Sequence, residues 1–351
     1  MTQEAEESDE VLTRVENGVG LITLNRPKAI NSLNQTMVDA LSAVLSRWEN
    51  DDAVRAVVLS GAGERGLCAG GDVVAVYESA RKDGVEVRKF WRDEYLLDGQ
   101  IGRFAKPYVS LMDGIVMGGG VGVSAHGSVR VVTETSKVAM PEVGIGFIPD
   151  VGGAFLLSRA PGALGLYAAL TGAPFSGSDA IAMGFADQYV AHDELDAFAK
   201  AVVDDGVQSA LAAHAVEPPA SELAAQRNWI DQCFAGDTVE DIVAALRGHR
   251  GSGAGRAEDA ANLIATRSPI AVSVALEAVR RAAKVDTLED VLVQDYRVSS
   301  ASARSHDLVE GIRAQIIDKD RNPKWSPATL AEVAATDVEA YFAPVDDDLN
   351  F

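Results

Sequence analysis

The segment MPEVGIGFIPD sets two carboxylates, Glu142 and Asp150, among Val143, Ile145, Phe147 and Ile148. Apolar surroundings penalise the charged form of a carboxyl group and raise its pKa. A pair held in a dry pocket suits general acid–base or nucleophilic work. Taken singly, each has a plainer reading: Glu142 as a turn cap after Pro141, and Asp150 as the N-cap of a helix starting near Val151. Other reactive patterns are missing from the sequence. No serine stands in G-x-S-x-G, and the five histidines form neither H-E-x-x-H nor another ligand pairing. The lone His126 reads as structural. Cys68 and Cys233 are too few for a disulfide framework or a four-thiolate zinc site, and Cys68 reads as a small buried residue.

Two glycine-rich stretches accompany these acids. Gly61, Gly63 and Gly66 spell G-x-G-x-x-G after a strand-like run, and Gly120, Gly122 and Ala125 spell G-x-G-x-x-A, with Glu142 at the distance of a ribose-binding acid. The first is followed by Leu67-Cys68-Ala69-Gly70-Gly71 rather than by a helix. Several elements intervene between the second and Glu142, so a dinucleotide site lacks its structural context in both. The same glycines fit another chemistry. Backbone N–H groups at two glycine turns can converge on one oxygen with no side chain in the way. Gly118 to Gly120 at a helix start would also aim a positive dipole end at that oxygen. Close helix–strand packing explains the glycines equally well.

Short strands and helices must position these groups. Val11–Val15 and Val19–Leu24 read as strands around the hairpin signal Asn17-Gly18. Helical spacing runs from Asn34 to Trp48, followed by a β-rich run Val54–Leu59 and a polar helix from Asp72 to about Phe90. Val109–Met112, Val129–Thr133 and Lys137–Ala139 are further strands, and two short strands per helix suggest ββα units. After about Val190 the texture is helical, as in Leu195–Val203, Val239–Leu246 and Ile270–Ala283, with His249–Gly255 as a flexible connection. The expected organisation is an acidic disordered tail over 1–10, an α/β catalytic core over 11–190, and a helical C-terminal part and tail over 191–351.

With 351 residues and 47% hydrophobic content, the chain can bury a sizeable core. Its 31 Lys and Arg against 52 Asp and Glu give a net charge of −21, which repels phosphate and argues against nucleic acid as a partner. No run of about eighteen apolar residues suggests a membrane span, and the acidic N-terminus is unlike a signal peptide. A soluble cytoplasmic protein is expected.

In chain order, Leu24-Asn25-Arg26-Pro27 with Asn31, Cys68-Ala69-Gly70-Gly71-Asp72, the stretch Asp113 to Gly120 (DGIVMGGG), Pro141-Glu142, Pro149-Asp150-Val151-Gly152-Gly153 and Leu170-Thr171-Gly172 resemble the crotonase (enoyl-CoA hydratase/isomerase) superfamily. The resemblance covers roughly 11 to 190 and implies a spiral of ββα units, an acyl-CoA substrate and a homo-oligomer, usually a trimer. Within the superfamily, GGGVGVSAHGSVRVVTETSKVAMPEVGIGFIPDVGG and the tail pieces Asp318-Lys319-Asp320 and Pro323-Lys324-Trp325-Ser326-Pro327 are similar to the 3-hydroxyisobutyryl-CoA hydrolase branch. Gly122 stands where a hydratase is expected to carry a second glutamate, and glycine cannot transfer a proton. The hydrolase pattern instead pairs Glu142 with Asp150. Dienoyl-CoA isomerases share such a pair, so an isomerase or hydratase stays open, as does a nonenzymatic acyl-CoA-binding protein.

The resemblance also implies roles. The N–H groups of Gly71 and Gly119 would polarise the thioester oxygen, Glu142 would act as nucleophile or general base, and Asp150 would bind the 3-hydroxyl or assist proton transfer. CoA would run along Arg26, Lys28, Ala29, Cys68, Ala69, Gly70, Gly118 and Gly122. Arg65, Lys319 and Lys324 are the candidate phosphate contacts, the two lysines being equally readable as ordinary surface residues. No metal or redox cofactor is expected, and the metabolic setting implied is valine breakdown.

Overall fold

Asn17 and Gly18 both adopt positive φ, 47° and 79°. A turn of that hand matches strand twist, and it joins β1 (Val11–Glu16) to β2 (Val19–Leu24) as an antiparallel pair. The computed structural model describes residues 8–351. Most of the expected acidic tail therefore lies outside the described residues. Glu10, at its end, is only partly exposed: it accepts a hydrogen bond from Asn34 at 2.8 Å and pairs with Arg26 at 3.2 Å, a cation that draws it onto the chain.

Seven further strands follow: β3 (Ala56–Gly61), β4 (Tyr108–Met112), β5 (Ile115–Met117), β6 (Val129–Val132), β7 (Lys137–Ala139), β8 (Phe175–Ser176) and β9 (Gln188–Tyr189). One sheet has the order β1-β2-β3-β4-β6-β9, parallel from β2 onward, and a smaller sheet has the order β5-β7-β8. β1 to β4 lie in the larger sheet, and from β4 to β7 the strands pass back and forth between the two sheets, within the spiral of ββα units that the sequence led one to expect. Strands β2, β3 and β4 are buried along nearly their whole length, and this explains why they read as continuous apolar runs rather than alternating ones. Val19, Leu21, Val58, Val109, Leu111 and Val131 form one core with Leu195, Phe198 and Val202 of the helix Leu195–Asp205.

The chain forms two compact units, each assembled from three segments. The first runs to Gly71 and adds Leu96–Val138 and Phe175–Ser221; it holds the sheets. The second takes Asp72–Tyr95, Ala139–Pro174 and Glu222–Phe351 and is helical. The expected single boundary near 190 is not where the units divide. The physical reason is that the chain leaves and re-enters the first unit: Asp72–Tyr95 and Ala139–Pro174 belong to the second unit and lie in sequence between stretches that carry the strands of the first. The polar helix expected over 72–90 is likewise two helices, Val73–Ala80 and Val85–Arg103. Gly84, at φ 70°, and an Asp83 side chain that accepts the Val85 N–H break it.

Candidate active site

In the first unit, two glycine turns pack backbone against backbone. Cys68 donates its N–H to the Ile115 carbonyl at 3.1 Å, and Met117 returns a bond to the Cys68 carbonyl at 3.0 Å. The turn Cys68–Gly71 is therefore held as an extra rung beside β5. A Cβ at Gly120 would lie 2.4 Å from the Cys68 carbonyl oxygen, and one at Gly70, whose φ is 105°, would lie 3.2 Å from the Met117 carbonyl oxygen. Only glycine permits this approach. Among the described residues, neither the Gly71 nor the Gly119 N–H donates to a backbone carbonyl, so the donors named from sequence are unspent. Gly118 and Gly122 are buried with them, Gly118 as the cap and Gly122 inside the helix Gly119–Ala125.

The loop before this turn is fixed from within. Buried Asn31 accepts the Arg26 N–H at 3.0 Å and donates to the carbonyls of Ala62, Gly66 and Leu67 at 3.0–3.2 Å. Arg26 reaches the Ser32 carbonyl at 2.6 Å in addition to its ion pair with Glu10. Arg65 donates to the carbonyls of Pro27 and Lys28, both at 2.6 Å. Both arginines thus staple the loop. Lys28 and Ala29 are exposed on it.

In the second unit, Glu142 opens the 3-10 turn Glu142–Ile145, and Asp150 ends the loop that follows. Both are buried. The turn is seated backbone to backbone: a Cβ at Gly146 would lie 2.2 Å from the Asp307 carbonyl oxygen, and one at Gly311 would lie 2.3 Å from the Ile145 carbonyl carbon. Trp91 stacks on Phe147 at 5.0 Å and adds an apolar wall. Neither acid takes its plainer role. The turn has no side-chain cap, and the helix Gly153–Arg159 is capped by Gly152, because positive φ at Val151 and Gly152 turns the chain before the helix begins.

Two further acids and two hydroxyls join the pair without having been named from sequence. Glu94 and Tyr95 come from the helix Val85–Arg103, and Asp295 and Ser299 from the helix Leu288–Ser302, all buried. Tyr95 donates to Asp150 at 2.6 Å and meets the Ser299 hydroxyl at 2.7 Å. Asp295 accepts the Gly152 N–H at 2.9 Å. Glu142 Oε2, Glu94 Oε1 and Asp295 Oδ1 are buried with no hydrogen-bond partner. A legible signal existed: Asp295 and Ser299 fall on the buried stripe of Val291, Leu292 and Val298, where a polar residue calls for explanation.

Burial is the leading cause that lifts every carboxyl of this group. Asp150 is pushed up to about 7, with the Tyr95 hydroxyl and its own backbone N–H holding it down. Glu142 rises well above the usual range through burial, then repulsion from Asp150, with Glu94 and Asp295 adding to it. Glu94 and Asp295 rise well above theirs by burial and by the Asp150 charge. The arrangement stores protons and can release or accept one near neutral pH.

The tail lysines stand apart from this group. Arg313 gathers Glu310, Asp318 and Asp320 at 2.7–2.8 Å, so the acids of the tail turn inward on one guanidinium. Lys319 is left exposed, and Lys324 reaches only the Asn322 side chain, at 3.1 Å.

The Enoyl-CoA hydratase/isomerase family profile matches residues 19–342. The mitochondrial 3-hydroxyisobutyryl-CoA hydrolase of Danio rerio is 38% identical over 351 residues, covering 96% of this chain and 90% of that protein. Its Homo sapiens counterpart is 37% identical over 363 residues, covering 100% and 93%. Among solved structures, a carnitinyl-CoA dehydratase from Mycobacterium thermoresistibile is 70% identical with a TM-score of 0.95, covering 98% of this chain and 99% of that one. An enoyl-CoA hydratase from Rhodobacter sphaeroides 2.4.1 is 37% identical with a TM-score of 0.90, covering 97% and 100%. On its glycine turns, its buried acids and these matches, the chain belongs to the enoyl-CoA hydratase/isomerase family.

Proposed function

We propose that the protein hydrolyses the thioester of 3-hydroxyisobutyryl-CoA or a similar short 3-hydroxyacyl-CoA, releasing free CoA and the hydroxy acid. The observation that carries this reading is the buried pair Glu142 and Asp150 in a chain that has glycine at 122. The curated relatives that share nearly the whole chain are hydrolases of that ester by name. Glu142 has the features of the attacking group: one carboxylate oxygen without a partner, in a dry setting.

Repulsion keeps Glu142 and Asp150 from ionising together, so as pH rises through about 7, where Asp150 titrates, the pair takes on one negative charge. When the proton sits on Asp150, Glu142 is the anion. It either adds to the thioester carbonyl or takes a proton from the water that does. In the first case the C–S bond breaks, CoA leaves as thiolate and takes a proton, and water opens the anhydride to restore Glu142. Either route consumes one water and needs no metal or redox group. The N–H groups of Gly71 and Gly119 stabilise the oxygen as it gains charge, and such a donor contributes about 2.7–4 kcal/mol to barrier lowering. Asp150 accepts the 3-hydroxyl of the substrate. An ester lacking that hydroxyl leaves a buried acceptor unpaired, which discriminates more strongly than apolar contact.

A second reading, addition or loss of water across a double bond, is favoured by Glu94, a second buried glutamate that shifts Glu142, and by the dehydratase name of the 70% identical structure. The two part in one assay. Purified protein is mixed with 3-hydroxyisobutyryl-CoA and a thiol reagent, with crotonyl-CoA in parallel. Thiol release from the hydroxyacyl ester is expected; its absence at any practical enzyme concentration, with water added to crotonyl-CoA, establishes the second reading instead.

A cytoplasmic homo-oligomer, a trimer by family habit, completes the proposal, with valine breakdown as its setting. Both cysteines are free and buried, as suits a reducing compartment, and no helix among the described residues is long and apolar enough to cross a membrane. Light scattering on the purified chain checks the trimer.

A further inference from the structure

Tyr95 and Ser299 are both fully buried, and neither has a place in the chemistry above. Their geometry is restrictive. A tyrosine hydroxyl carries one hydrogen, and an ionised carboxylate can only accept. With Asp150 charged, Tyr95 must donate to it at 2.6 Å, and Ser299 must then donate to the Tyr95 oxygen at 2.7 Å. In that direction every hydrogen of the chain has an acceptor. With the direction reversed, the Ser299 hydrogen has none, since Tyr95 is the hydroxyl's sole partner.

The groups that face Asp150 are all acidic or neutral: Glu94 and Tyr95 from the helix Val85–Arg103, Glu142 from its turn, and Asp295 from the helix Leu288–Ser302. No lysine or arginine is among the groups that shift Asp150. Of the four carboxyl groups, Asp150 alone receives a hydroxyl donor; Asp295 has one backbone N–H, and Glu94 and Glu142 each keep an oxygen without a partner. We propose that Ser299 and Tyr95 form a two-step donor relay that positions Asp150 and makes it the charge-bearing member of this buried acid group. They are positioning residues, acting through Asp150 rather than on substrate. Successive donors polarise one another, so the serine strengthens the tyrosine's bond. A relay of this kind sets the pH at which the group first ionises and leaves that charge on Asp150. Glu142 becomes the attacking anion when the Asp150 carboxylate takes up its proton, so the relay fixes the onset of activity and limits the share of Glu142 that is ionised.

The proposal rests on the hydrolase reading for its rate assay but not for its structural one. In the rate assay, kcat/KM for thiol release is followed against pH. The wild-type acid limb is expected near pH 7, where burial places Asp150. Tyr95→Phe should move that limb upward by about one pH unit or more, a tenfold change in ionisation per unit, while the plateau above it, no longer limited by a charge held on Asp150, stays level or rises. Ser299→Ala should move it less in the same direction, and adding Ser299→Ala to Tyr95→Phe should move it no further. In the structural assay, the side-chain carboxyl carbons of aspartate-labelled protein are titrated by NMR, with Asp150 assigned by its loss in Asp150→Asn. Its midpoint should rise in Tyr95→Phe. A lowered plateau with an unmoved limb, or an Asp150 midpoint unchanged by Tyr95→Phe, overturns the relay. An added shift from Ser299→Ala in the Tyr95→Phe background overturns the serine's part. A wild-type protein that releases no thiol sinks the hydrolase reading, and the NMR titration then decides the relay by itself.

Discussion

Asp295 accepts the Gly152 N–H at 2.9 Å, a bond that ties the turn after Asp150 to the helix Leu288–Ser302. Both partners are buried, and Val151 and Gly152 beside it are in the left-handed region. Asp295→Ala strands a buried N–H, which costs about 1–3 kcal/mol, and should lower both thermal stability and turnover. Asp295→Asn keeps an acceptor for that N–H and is neutral, as the protonated acid is, so it should fold normally and leave the acid limb of the rate near its wild-type pH. Melting curves and a pH–rate profile on the two variants check this; equal damage in both would mean that the acceptor is not what matters.

Glu142→Gln keeps the shape of the turn and removes its reactive oxygen. Thiol release should fall by about 10²–10⁴-fold, the range of a lost acid–base group, with substrate affinity largely kept. Full turnover in this variant would end the role assigned to Glu142.

The same acids make stability pH-dependent. Asp150 has an ordinary value of 3.8 and is pushed up to about 7 in the folded chain, so between those values the folded state keeps a proton that the unfolded state has lost. The stabilisation is therefore full below about pH 4 and is lost as pH rises through about 7. Glu142 shifts in the same direction. Each such group contributes at most about 1.4 kcal/mol per pH unit. The melting temperature should fall from pH 5 to pH 8, and Asp150→Asn or Glu142→Gln should flatten that fall and melt higher than wild type at pH 8. Parallel curves for all three proteins would place the dependence elsewhere.

Gly120→Ala tests the paired glycine turns. Its Cβ would meet the Cys68 carbonyl oxygen at 2.4 Å, and backbone on both sides leaves little room to yield. Overpacking should cost about 1–3 kcal/mol of stability. Displacement of the neighbouring Gly119 donor should cost about 10²–10³-fold in turnover. Loss of stability with turnover preserved in the surviving fold would separate the glycines from catalysis.

Strands, the spiral of ββα units and the acid pair were readable because each leaves a local mark: the β-rich runs, the Asn17-Gly18 turn, and two carboxylates among aliphatics. Arg65 was named as a phosphate contact, and the sequence holds no sign that it spends its guanidinium on the Pro27 and Lys28 carbonyls. Such bonds depend on where the chain returns, a property of tertiary packing. Glu94 lies beyond Phe90, where the expected polar helix stopped, and its burial depends on which face of the helix Val85–Arg103 packs inward. Asp295 and Ser299 sit far from Asp150 along the chain, and only their place on an apolar stripe marked them.

Each unit is assembled from three separated stretches, and this bears on how the protein is made. The acid group needs Glu94, Glu142 and Asp150 together with the helix that bears Asp295 and Ser299, and that helix ends at Ser302. During synthesis the earlier acids emerge long before the segment that encloses them. Until then they stay hydrated and ionised, and the proton uptake that accompanies their burial waits for the last third of the chain. Native-like closure of the second unit is therefore a late event on the ribosome, sensitive to the pH at which it occurs.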